Sequence, residues 1–284
     1  MSGLLQLTKG HGTENDFLLV ADPDGLLDIG PDLVAALCDR RAGIGADGLI
    51  RAVRSGALPE GAAYDEATWF MDYRNADGSI AEMCGNGVRV FARFLAAQGL
   101  VEPDLPLSVA TRGGLKAVRF EDDGAITVGM GVPGPGPERV TVTTGAGQWT
   151  ASGVHLPNPH AVALVDDPDA VGTLVDVPLV EPATAYPEGV NVEFVQVVAP
   201  GLLRMRVHER GVGETRSCGT GICAAAVVAA RSHPGTSTWQ VEVPGGTCSV
   251  ALLPDGTLEL TGPAVLVATL EVDPSALTRW RIPA

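Results

Sequence analysis

The feature that most restricts what this chain can fold into is an internal echo. The stretch MCGNGVRVFARFLAA around Cys84 has a counterpart in SCGTGICAAAVVAA around Cys218. In both, a turn-rich polar segment leads through Cys-Gly-X-Gly directly into an apolar stretch with helical spacing. Two such copies nearly half the chain apart point to duplication. The Gly- and Pro-rich passage GMGVPGPGPERV, Gly129 to Val140, reads as the connector between the halves. Two halves of this kind are expected to face each other and bring both cysteines into one cleft.

The rest of the chain suits many short strands. Its 36 glycines and 21 prolines are dispersed rather than periodic, as tight turns require. Strand runs bounded by Gly, Pro, Asn or Asp fall at 17–21, 49–54, 68–74, 107–111, 115–120 and 126–130. Further runs fall at 140–144, 160–165, 190–198, 202–209, 239–243, 247–253 and 257–260. Helical spacing appears at 31–41, with Pro31 in the first turn, and again at 86–98 and 219–231. The last is apolar nearly all round, which predicts complete burial.

Charge and cysteine usage narrow the function. With 19 Lys and Arg against 34 Asp and Glu, the net charge of −15 disfavours a nucleic-acid partner. No apolar run approaches the roughly 20 residues of a membrane span. The opening residues lack the basic start and apolar core of a secretory leader, so a cytoplasmic protein is expected. The five cysteines are odd in number and contain no CxxC pair, which indicates neither a disulfide framework nor a zinc site. Cys38, Cys223 and Cys248 read as packing.

Cys84 and Cys218 read differently. Each precedes a helix at a Gly-rich turn, where backbone N–H groups and the helix dipole favour negative charge. The expectation is a thiol pKa below its ordinary value of roughly 8.5, beside a cradle for a carboxylate. Two thiols flanking one anion site suit inversion of an amino-acid α-carbon, which needs a base on one face and an acid on the other. Donors aimed at the α-carboxylate stabilise the carbanionic transition state.

These residues stand within a longer series: KGHGTENDF from Lys9, NADGS from Asn75, MCGNG from Met83, NPH from Asn158 and ERGVGETRSCGTG from Glu209. The series resembles the diaminopimelate epimerase family, in order and over nearly the whole chain. The resemblance implies an α+β fold of two pseudo-symmetric domains, each an antiparallel β-barrel-like sheet around a central helix. C-terminal residues would return to the first domain, giving 1–129 plus 268–284 and 130–267. It implies a cofactor-independent, metal-free interconversion of LL- and meso-diaminopimelate, with Cys84 and Cys218 as the acid/base pair. Gly85, Asn86, Gly219 and Thr220 would hold the reacting carboxylate. Asn15, Asn75, Asn158, Asn191, Glu209 and Arg210 would supply the remaining substrate contacts. His160 and Glu209 would polarise the thiols. A homodimer serving lysine and peptidoglycan synthesis is implied as well.

The match has departures. HGTEND replaces the commoner Leu-Gly between HG and ND, Pro157 precedes Asn158 where Gly is commoner, and Gly48 stands where some relatives have Gln. None removes a proposed catalytic group. Rival readings are a racemase of the same fold acting on another amino acid, a cysteine hydrolase using one thiol with His160, and a catalytically silent diamino-acid binder. Asn86 stands where proline racemase-like enzymes carry histidine, and a hydrolase leaves the second cysteine unexplained. The GxGxxG at Gly43 follows a helix and precedes a strand, the wrong order for dinucleotide binding. A pyridoxal phosphate enzyme needs a Schiff-base lysine. Of the two lysines, Lys9 belongs to the epimerase-like series and nothing around Lys116 suggests a cofactor site.

Overall fold

The computed structural model of the chain describes residues 4–278. Residues 1–3 and 279–284, which entered the readings of the N-terminus and of the C-terminal return, lie outside it. The first part of the chain forms β1 (Leu5–Gly12), β2 (Asn15–Ala21), α1 (Pro31–Cys38), β3 (Gly48–Arg54), β4 (Trp69–Asn75), α2 (Gly85–Ala97), β5 (Leu107–Thr111), β6 (Gly114–Phe120) and β7 (Ile126–Gly131). There follow β8 (Gly134–Pro135), β9 (Val140–Thr144), β10 (Gly147–Leu156), β11 (Asn158–Leu164), β12 (Leu179–Glu181), β13 (Asn191–Ala199), β14 (Leu202–Glu209) and β15 (Gly213–Thr215). The chain continues with α3 (Gly219–Ser232), β16 (Thr238–Val243), β17 (Gly246–Leu252), β18 (Leu258–Gly262), β19 (Val265–Val272) and α4 (Pro274–Thr278).

Two compact units result. One holds residues 4–12, 16–126 and 264–278; the other holds 13–15 and 127–263. The division falls inside β7, ahead of the passage read as a connector, because β7 pairs with β18 of the second unit. That passage carries the end of β7 and the short β8.

Strand directions repeat from one unit to the other. In the first, β2 runs parallel to β3, β3 antiparallel to β4, β4 parallel to β5 and β5 antiparallel to β6. In the second, β11 runs parallel to β13, β13 antiparallel to β14, β14 parallel to β16 and β16 antiparallel to β17. The sheets are therefore mixed where antiparallel pairing alone was expected. The reason is connection length: parallel neighbours need a crossover, and α1, α2, the segment 165–190 and α3 supply one at each such pair.

Register makes the repetition residue-specific. Phe17 lies opposite Gly48 in the first unit, as His160 lies opposite Asn191 in the second. Counting along the strands, Asn158 then corresponds to Asn15, and Glu193 to Ile50. Glu209 and Asn75 both end their strands.

Each unit wraps its sheet around one long helix. α3 packs against β10, β11, β13, β14, β16, β17 and β18, and α2 against β1, β3, β6 and β19. Phe91, Phe94 and Leu95 of α2 are buried, each contributing roughly 1.5–3 kcal/mol relative to exposure. α3 is almost wholly buried, which explains why it carries Ala and Val in place of a polar face. Among the described residues no helix is long and apolar enough to cross a membrane.

A buried ion network braces the first unit near Cys84. Arg51 donates to Asp72 Oδ2 at 2.9 Å and to Asp22 Oδ2 at 3.1 Å, while Arg112 donates to Asp72 Oδ1 at 2.8 Å. Arg112 stands in the β5–β6 turn, where the Gly113 N–H donates to Glu82 O at 3.1 Å, two residues before the cysteine. Asp72→Ala leaves Arg51 and Arg112 without their shared partner in a desolvated site. Urea unfolding is expected to show a loss of about 3–5 kcal/mol.

Candidate functional site

The two units cap their long helices on one plan. A buried helix has to find partners for its first N–H groups. Cys84 is the N-cap of α2, extended at φ −139°, and its sulfur accepts from Gly87 N–H at 3.4 Å. Cys218 is the N-cap of α3, extended at φ −122°, and accepts from Gly221 N–H at 3.4 Å. Ile222 N–H is satisfied by Cys218 O at 2.9 Å. The N–H groups of Gly219 and Thr220 therefore lack a partner within the helix, as an anion cradle requires.

In the first unit the predicted residues Cys84, Gly85 and Asn86 stand together at the head of α2, and Asn75 ends β4. The Asn86 side chain is fully buried and accepts from Arg89 at 2.9 Å. Asn75 donates to Ser79 Oγ at 3.0 Å, and the Asp77 carboxylate accepts from Ser79 N–H at 2.9 Å, which shapes the tight NADGS turn.

The second unit holds the denser cluster. Glu209 ends β14 and accepts from the Thr215 hydroxyl and the Cys218 thiol. Thr220 Oγ1 lies 3.4 Å from the Cys218 sulfur. His160, fully buried, is held between Glu193 Oε1 at 2.6 Å and Asn158 Oδ1 at 2.9 Å. The Asn191 side chain accepts from Arg210 N–H at 2.8 Å, and the exposed Arg210 guanidinium donates to Glu188 O at 3.3 Å.

Asn15 follows a strained turn that packs with this second unit. Thr13 and Glu14 have φ of 49° and 62°, a region that side chains other than glycine seldom adopt. Thr13 Oγ1 lies 2.6 Å from Ser217 Oγ, Glu14 pairs with Arg216, and a side-chain carbon at Gly245 would fall 1.9 Å from Thr13 O. Strain of this kind persists only where its surroundings hold it. The departure HGTEND is thus accommodated by contacts to the residues just before Cys218.

Electrostatics correct one expectation. The Cys218 thiol is pushed well above its ordinary range, chiefly by burial and then by the carboxylates of Glu209 and Glu193. The Thr220 hydroxyl and Gly221 N–H oppose this without overcoming it. In the ligand-free protein this cysteine carries its proton. Glu209 is likewise raised by burial, partly offset by its bonds from Thr215 and Cys218.

Sequence reasoning missed Glu193, Thr215 and Ser217. A carboxylate amid the apolar run at 190–198 was the available signal for Glu193. Thr215 and Ser217 lay within the quoted motif without a role.

The family model described as diaminopimelate epimerase matches residues 7–134 and 154–267. The chain is 56% identical over 282 residues to a diaminopimelate epimerase of Streptomyces coelicolor, covering 96% of this chain and 97% of that one. It is 51% identical over 282 residues to one of Thermobifida fusca, covering 96% and 100%. Among solved structures it is similar to a hydroxyproline epimerase from Agrobacterium vitis, at 17% identity and a TM-score of 0.66. That match covers 97% of this chain and 94% of the other.

The raised Glu209 carboxyl has a consequence for stability. Folding holds its proton more tightly than the unfolded chain does, so its contribution is complete below the ordinary value of 4.5 and lost as pH rises through the raised value. Glu209→Gln removes that loss. Urea unfolding at intervals from pH 4 to about 8 is expected to show the variant gaining on the wild type as pH rises.

Proposed function

We propose that this chain, which belongs to the diaminopimelate epimerase family, inverts one α-carbon of 2,6-diaminopimelate, interconverting the LL and meso forms. The observation that carries the mechanism is the repetition itself. A cysteine caps the buried helix at the same place in each unit, with glycine N–H groups beside it. One sulfur removes the α-proton as thiolate while the other, entering as thiol, delivers a proton to the opposite face. Cys218, buried and bonded to Glu209, suits the thiol partner of the resting state. Reversal of direction exchanges the two roles.

Stabilisation of the carbanion falls to the helix heads. Backbone N–H groups of Gly85, Asn86, Gly219 and Thr220, with the Thr220 hydroxyl, are donors for the reacting carboxylate, where negative charge develops. Arg210 offers a fork to the distal carboxylate, and Glu209, Asn15, Asn75, Asn158 and Asn191 complete the amino and carboxylate contacts. His160, bonded to Glu193 and Asn158, is a supporting residue. The reaction calls for no pyridoxal cofactor. A cytoplasmic homodimer feeding lysine and peptidoglycan synthesis is the biological setting this reading gives.

The test is incubation with LL-diaminopimelate in D₂O, followed by chiral separation with mass detection. The expected product is the meso form carrying one deuterium at the inverted carbon. Cys84→Ala and Cys218→Ala are each expected to lower kcat by at least about 10²–10⁴-fold, as loss of a proton-transferring group does. Conversion of a different amino acid, with diaminopimelate untouched, would move the assignment to another racemase of this fold.

A further inference from the structure

The strand register matches β2 and β3 of the first part of the chain with β11 and β13 of the second, and at two places the halves differ in kind. On β11 and β13 stand His160 and Glu193; the corresponding residues on β2 and β3 are Phe17 and Ile50. All four are fully buried. The first unit shows that the fold fills these positions with apolar side chains. A buried carboxyl in the second is costly unless it is paired and hydrogen-bonded.

Among the described residues the Glu193 side chain has one hydrogen-bond partner, His160. Its Oε1 is 2.6 Å from His160 Nδ1, while its Oε2 is buried with no hydrogen-bond partner among the described residues. Space for the carboxyl is cleared by Gly221, where an added side-chain carbon would stand 2.8 Å from Oε1. On the other edge of the ring, Nε2 is 2.9 Å from Asn158 Oδ1. An amide oxygen only accepts, so Nε2 must carry a hydrogen. One further proton lies between Nδ1 and Oε1. On nitrogen it gives an imidazolium and a carboxylate; on oxygen, an imidazole and a carboxylic acid. Both placements are neutral as a pair, which suits complete burial, and both keep the hydrogen on Nε2.

We propose that Glu193 is a positioning residue: acting through His160, it locks the Asn158 amide with its oxygen inward, so that its N–H groups face a ligand carboxylate. The assignment rests on Asn158 being a substrate contact. Without a proton-supplying partner at Nδ1, the imidazole can settle with its hydrogen there and a bare Nε2. Asn158 then turns over to donate inward and presents its oxygen to the ligand, where it repels a carboxylate. In the first unit Phe17 and Ile50 stand at the places of His160 and Glu193, so this relay belongs to the second unit.

The first link is read without substrate. In ligand-free protein labelled with ¹⁵N-histidine, the His160 signal, identified by its absence from His160→Gln, should show a hydrogen on Nε2 at neutral pH. A bare Nε2 overturns the proposal outright. For the second link, Glu193→Leu should raise KM for diaminopimelate about 10- to 100-fold, the loss of one hydrogen bond to a charged group, with a much smaller change in kcat. Asn158→Ala should do the same, and the double variant should exceed Asn158→Ala by less than about twofold, since both act on one contact. Effects that multiply would show Glu193 acting by another route and overturn it. Glu193→Gln, whose amide can donate to Nδ1, should remain within about threefold of the wild type even if the leucine variant does not fold. A rise as large as that of Asn158→Ala overturns the proposal. A wild type that epimerises nothing would instead sink the reaction assigned above, while the imidazole signal would still decide the Nε2 hydrogen.

Discussion

A buried helix must give its leading N–H groups to something, and in both units that obligation organises everything nearby. The first turns of α2 and α3 are buried, so the donors turn to a sulfur and to a carbonyl, and can take an anion. Cysteine is a weak acceptor, so its 3.4 Å contacts cap the helices less strongly than an oxygen would. An arrangement that under-satisfies its helix heads is poor for stability and well suited to binding a carboxylate. Serine or aspartate would cap better but has no thiol to exchange a proton.

The units share topology closely enough that their differences are informative. Strand order, direction and the position of the capping cysteine repeat, whereas side chains beneath the helices diverge toward apolar packing in one and a polar cluster in the other. The divergence leaves Cys84 half-buried at the head of its helix and Cys218 buried among carboxylates.

Much of this was legible in the chain. The long helices and most strands fall within a few residues of their expected ends, because Gly, Asn and Pro mark the boundaries. β1, β10 and β19 escaped notice, as did the short β8, β12 and β15, and for β1 and β19 the reason is physical. Gly10 and Gly12 interrupt the alternation of β1, and Gly10 sits at a register shift where Val265 O leaves no room for a side chain. β19 is largely exposed and lacks a periodic apolar face. Parallel pairing escaped too, since crossover direction depends on which strands become neighbours. The state of the Cys218 thiol was misjudged because the dipole at a helix head is visible in sequence, whereas the burial that outweighs it, and the Glu209 and Glu193 carboxylates that add to it, arise only in the folded chain.

The pairing of β1 with β19 also sets an order of assembly. Leu5 lies beside Val272, so the first unit closes its sheet with strands from opposite ends of the chain. During synthesis the N-terminal strand must wait, with one edge unpaired, until nearly all of the chain has emerged. The second unit is continuous from residue 127 to 263 apart from three residues. It can therefore be largely formed while the first still lacks an edge. The usual sequence, in which the N-terminal domain folds first, is thereby inverted. An edge left open for that long is the part of a nascent sheet most prone to pairing with another chain.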